Sequence, residues 1–143
     1  GGQRRGTLLL RGVSYMAERL PRPSEAELAI LGVLWRRGPS TVREVHDEVS
    51  RSEPVRYTTT LKQLQVMFEK GLVERDEAAR AHVYRAVPSE GRTLRRLARD
   101  LVQHAFGGSA EKLVLHALQD RDVSADELAR IRRLLDELEE GTR

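Results

Sequence analysis

The chain has 143 residues, 33% of them charged and 39% hydrophobic, the scale of one domain or of two small interdependent units. A mean hydropathy of −0.52, with no apolar run near ~18 residues, excludes a membrane span. The absence of cysteine excludes disulfides, thiolate metal sites and a cysteine nucleophile, and fits a reducing compartment. The net charge of +3 is unevenly placed: residues 1–23 carry +4, residues 24–87 are neutral and residues 88–143 carry −1. Aromatics make up 4%, so the core must be aliphatic, and the Leu-, Ala-, Glu- and Arg-rich composition favours helices.

Residues 1–15 show no sustained period, and Leu8-Leu9-Leu10 is too short for a signal-peptide core of ~7–15 residues. Met16-Ala17 makes a natural start, so the stretch before it reads as foreign sequence or as a basic arm, disordered over 1–19. Ser24 with Glu27 is a capping box. Leu28, Leu31, Leu34 and Trp35 then recur at helical spacing until Gly38-Pro39. Thr41 with Glu44 is a second box, opening a helix with Val42, Val45 and Val49 on one face and ending near Arg51. A turn over 52–56 leads to a third helix, Tyr57 to Lys70, stopped by Gly71. On a helical wheel Leu61, Leu64 and Phe68 cluster, with Met67 on their flank. The opposite face collects Thr59, Lys62 and Val66, with Thr58, Gln63 and Lys70 at its edges. This face is short-chained and polar, and lacks the dense Glu–Lys pairing of an idle solvent face.

Leu72–Asp76 and His82–Val87 are β-prone runs that predict a hairpin, ended by Pro88. Ser89–Phe106 predicts a long helix with Leu94, Leu97 and Leu101 at 3,4 spacing, broken by Gly107-Gly108. Glu111–Leu118 is short and apolar. Ser124 with Glu127 opens a last helix carrying Leu128, Ile131, Leu135 and Leu138.

Three short helices followed by a hairpin is the order of a winged helix-turn-helix. The fold expected is therefore mainly α (α+β): a winged helix-turn-helix over 20–87, with a small β-hairpin wing, and a C-terminal helical region over 88–143. In such a module the third helix enters a DNA major groove wide enough to admit it. Thr59, Lys62 and Gln63 would read base edges, or else form a plain solvated face. Thr58 is expected to cap the helix rather than read a base. Tyr57 either touches phosphate or closes the hydrophobic end. Arg80 and His82 would reach the neighbouring backbone or the minor groove from the wing, and Trp35 reads as core. The leucine seams of 88–143 are too small to form a core alone and need the first unit or a second copy of the chain. Two-fold readers of DNA favour the second copy.

Tyr57-Thr58-Thr59-Thr60-Leu61, Glu69-Lys70-Gly71-Leu72-Val73 and His82-Val83-Tyr84, with Ser24–Leu28, Leu34-Trp35, Gly107–Ser109, Leu113–Leu115 and the Glu127–Leu135 helix, resemble the penicillinase-repressor family (BlaI/MecI/CopY). The likeness spans residues 20–139. It implies a cytoplasmic homodimeric repressor on a palindromic double-stranded operator, with no cofactor. By position it assigns DNA contact to Tyr57, Thr58, Thr59, Lys62, Gln63 and Val66, with Arg80 and His82 on the wing. It places dimerisation in the C-terminal helices, where the seams read from the spacing are Leu94, Leu97, Leu101, Leu128, Ile131, Leu135 and Leu138. Two features depart from the family. The cysteine ligands of its copper-responsive branch are missing. The Asn-Phe bond cut by a membrane-bound sensor protease in its antibiotic-responsive branch is replaced: His116-Ala117 follow Leu113-Val114-Leu115. Cleavage there would need a protease of different specificity.

Nothing points to an enzyme. The four histidines, His46, His82, His104 and His116, are scattered, and no H-E-x-x-H, G-x-S-x-G or P-loop spacing occurs. His46 reads as a satisfied surface histidine. The alternative function is a winged-helix regulator that binds a small effector directly between its two domains.

Overall fold

The computed structural model describes residues 20–119 and 122–142; the arm read over 1–19 lies outside them. Helix α1 (Glu25–Arg37) starts where Ser24 Oγ accepts from the Glu27 amide at 3.1 Å and the Glu27 carboxylate accepts from the Ser24 amide at 3.0 Å. It buries Ile30, Leu31, Val33 and Leu34. The inward face thus includes Ile30 and Val33, beyond the expected Leu31 and Leu34, while Leu28 is only half-buried. A two-residue strand β1 (Ser40–Thr41) follows, then α2 (Val42–Ser52), opened by the reciprocal Thr41–Glu44 box. Helix α3 (Tyr57–Lys70) ends on Gly71, whose φ of 83° places it in the left-handed region that closes helices. Strands β2 (Val73–Asp76) and β3 (Val83–Ala86) form the wing.

The sheet is antiparallel in the order β1-β3-β2, with Ser40 opposite Tyr84 and Arg75 opposite Tyr84 on the other side. Strand β1 is absent from the sequence reading, because two residues are too few to show a period of two. Thr41 ends β1 and also caps α2, so it joins the sheet to the helix pair.

Leu31, Val45, Leu64, Met67, Leu72, Val73 and Tyr84 form the centre of one core, with Trp35, Val49 and Leu61 packed around it. The expected α3 cluster is corrected here. Leu64 and Met67 are fully buried, but Phe68 is 37% exposed, with the Arg75 guanidinium 4.0 Å from its ring centre. The inward stripe of α3 runs through Thr60, Leu64 and Met67, and Phe68 falls at its edge beside the wing. Thr60 is tolerated inside because its hydroxyl meets His46 Nδ1 at 3.2 Å. His46 is accordingly satisfied, as expected, but half-buried between α2 and α3 rather than on the surface.

After the wing come α4 (Glu90–His104), α5 (Ala110–Gln119) and α6 (Ala125–Gly141). The chain divides into two compact units between Ala98 and Arg99, within α4. In the first unit the Trp35 indole donates to the Pro88 carbonyl at 2.9 Å, and Arg96 donates to the Leu20 carbonyl. Trp35 is thus core, as expected. In the second, the Phe106 and His116 rings lie 5.9 Å apart. Leu94, Leu101, Val114, Leu115, Leu134, Leu135 and Leu138 are exposed, and Leu97, Leu128 and Ile131 half-buried. Among the described residues no helix is long and apolar enough to cross a membrane.

Candidate nucleic-acid interface

A groove of about 400 Å³ runs along the outward face of α3, lined by Thr58, Thr59, Lys62, Gln63, Val66 and, from the start of α1, Ser24 and Glu27. Five of the six residues singled out on this helix therefore share one surface. Tyr57 does not. It stands at the start of α3 with its ring edge-on to His46, centroids 5.5 Å apart, and under the Arg43 guanidinium at 4.8 Å. Arg80 and His82 are exposed on the β2–β3 connection, apart from the groove.

The helix ends differ in a way that matters for anions. Ser24, Thr41, Ser89, Ser109 and Ser124 each accept an amide hydrogen bond at the start of α1, α2, α4, α5 and α6. Helix α3 begins at Arg56, which makes no side-chain cap, and its first turn holds no acidic residue. Thr58, expected as the cap, is the second residue of the helix and lines the groove instead. The Thr59 amide already donates to the Arg56 carbonyl at 3.0 Å, so the amides of Tyr57 and Thr58 are those turned to an outside acceptor, at the positive end of the helix dipole.

The cations divide likewise. Glu48 pairs with Arg36 and Arg51, Glu44 with Arg37, Glu77 with Arg75, and Glu74 lies 3.6 Å from Arg85. Arg43, Arg56, Lys62 and Arg80 take part in none of these pairs. Glu27 is the one carboxylate of the groove, and it is spoken for: Lys70 Nζ lies 2.8 Å from its Oε2. Burial acts to raise the Glu27 carboxyl. The hydrogen bonds from Lys70 and the Ser24 amide, with the Lys70 charge, outweigh it and hold the group below the usual carboxylate range. The groove thus presents hydroxyls, an amide, an ammonium and a valine, a surface able to meet base edges and a methyl group. Among the described residues no group of three or more His, Asp or Glu could hold a metal ion.

Sequence reasoning missed Ser24 and Glu27 as groove walls, since their capping box says nothing of which helix lies beside it. It also missed Arg43 and Arg56. Arg56 had a signal: it occupies the position before a helix where Ser, Thr, Asp or Asn is the rule.

These features define a winged-helix transcription regulator. The chain belongs to the penicillinase repressor family, whose model matches residues 23–137. It is 36% identical over 125 residues to the transcriptional regulator BlaI of Mycobacterium tuberculosis, covering 86% of this chain and 89% of that one. The penicillinase repressor of Bacillus licheniformis is 22% identical over 120 residues, covering 84% of this chain and 94% of its own. Among solved structures, the monomeric form of the Bacillus licheniformis BlaI in complex with the blaP half-operator is similar over 50% of this chain and 88% of that one, at 26% identity and a TM-score of 0.45. These relatives are transcriptional regulators, and the chain is not an enzyme.

Proposed function

We propose that this protein is a cytoplasmic repressor that binds a palindromic DNA operator as a homodimer. The winged helix-turn-helix over 20–87 is the reader, and the helices of 88–143 join the two copies. The observation that carries the reading is the start of α3: among the described residues, the one helix without a side-chain cap is the one whose face carries Thr59, Lys62 and Gln63. A phosphate at that N-terminus supplies the missing acceptor and sets the helix in the major groove. Thr58, Thr59, Lys62, Gln63 and Val66 then read base edges, Tyr57 closes the phosphate end, and Arg80 and His82 follow the neighbouring backbone.

Support for a homodimer comes from the unpartnered Leu94, Leu101, Leu135 and Leu138. Two readers spaced about one turn, ~34 Å, match a two-fold site. Release follows from a signal that breaks the dimer, such as cleavage by a membrane-bound sensor protease at His116-Ala117, beside the exposed Val114 and Leu115.

The test is selection of genomic DNA fragments by the purified protein at two salt concentrations. Enrichment of an inverted repeat with steep salt dependence is expected. Weak binding without an enriched sequence would overturn the proposal.

A further inference from the structure

Helix α4 carries an arginine stripe that neither the groove nor the wing uses. Arg92, Arg95, Arg96 and Arg99 fall within about a 100° arc of the helix, and Leu94, Leu97 and Leu101 lie on the other side. Neighbours on the stripe are three or four residues apart, so like charges face like charges, which weakens a helix. Arg92 also sits in the first turn, where the dipole disfavours a cation. Helix stability therefore does not explain the stripe.

The contrast within the chain is direct. On α6, Asp126, Asp136 and Glu137 stand four residues from Arg130, Arg132 and Arg133, the spacing of attractive pairs, whereas of the four arginines on α4 only Arg96 has a carboxylate at that spacing, Asp100. On α1, α2 and the wing, arginines pair with Glu44, Glu48, Glu74 and Glu77. None of those pairs includes Arg95 or Arg99, both of which are exposed. Arg96 ties the stripe to the reading unit by donating to the carbonyl of Leu20. Leu20 is four residues before Ser24, a wall of the reading groove, so it lies within about 14 Å of Ser24.

We propose that the α4 stripe is a second DNA-binding surface that grips operator backbone beyond the bases read by α3. The proposal rests on the operator-binding reading above. From Arg92 to Arg99 the stripe rises ~10 Å, about three base steps along one strand. Phosphates at that spacing neutralise the mutual repulsion of the arginines. The contacts add affinity for any duplex and no sequence preference.

The test compares the wild-type chain with the double variant Arg95→Gln, Arg99→Gln, by fluorescence anisotropy on operator and unrelated duplexes from 50 to 200 mM salt. Two copies on one duplex lose four charges between them, so the double variant is expected to lower the slope of log affinity against log salt by about three to four. Over that fourfold range, wild type then loses on the order of a hundredfold more affinity than the variant. The loss should be equal on both duplexes, and Arg95→Lys with Arg99→Lys should keep the wild-type slope. Removing like charges favours the helix, and a melt of each variant checks its fold. An unchanged slope in a folded Gln variant overturns the proposal and leaves the operator reading standing. Loss of binding to phosphatidylglycerol vesicles with unchanged DNA slopes also overturns it, in favour of a membrane. Wild-type protein without salt-dependent DNA binding overturns both readings.

Discussion

Lys62 stands in the middle of the outward face of α3, exposed and in none of the ion pairs described, with Gln63 and Val66 beside it. Lys62→Ala is expected to weaken operator binding by about 1–3 kcal/mol and unrelated duplexes much less, in a competition assay. Equal losses on both would make Lys62 a phosphate contact rather than a base reader. Glu27 works differently, since its charge is used inside the protein. Its carboxyl lies lower in the folded chain than in the unfolded one, so the folded state gains stability above the ordinary carboxylate range. That gain disappears as pH falls through the folded value. Glu27→Gln should therefore lower unfolding free energy by about 1–2 kcal/mol at neutral pH, and the two curves should converge in acid. Urea melts across pH measure this; a gap that persists in acid would assign the loss to packing.

At the level of elements, much was legible. Ser24 with Glu27, Thr41 with Glu44, the α3 limits at Tyr57 and Gly71, and the two wing strands are all local signals: a side chain meeting a nearby amide, or a glycine reversing the chain. What was illegible depends on neighbours distant in sequence. Phe68 looked inward because a wheel treats all apolar residues alike, whereas Arg75 from β2 claims its ring. His46 reads in the sequence as a satisfied surface histidine; it is satisfied, but half-buried, because its partner Thr60 lies on the next helix. The groove residues of α3 could be read from the wheel, but the wall of Ser24 and Glu27 could not. Gly71 gives the element-scale prediction. Among the described residues, a Cβ there would meet only Leu20 Cδ2, at 3.4 Å, so the cost is conformational. Gly71→Ala is expected to destabilise the fold by about 1–2 kcal/mol in a denaturant titration, through its φ of 83°. An unchanged midpoint would show that the turn relaxes freely.

For the whole molecule, the question is what covers the leucines after Leu94. Leu135 is 55% exposed and Leu138 60%, a seam whose burial needs further surface. Leu135→Asp places a charge in that seam, and sedimentation equilibrium should then show monomer in place of dimer, with operator affinity reduced in step. A dimer of unchanged strength would remove α6 from the interface. The hydrogen bond from Trp35 to the Pro88 carbonyl has a practical consequence here. Trp35 is the chain's one tryptophan, so all indole emission originates where the wing gives way to α4. Loosening of that joint changes the colour and intensity of the fluorescence, and the first unit carries its own optical gauge of how firmly the end of the wing is held.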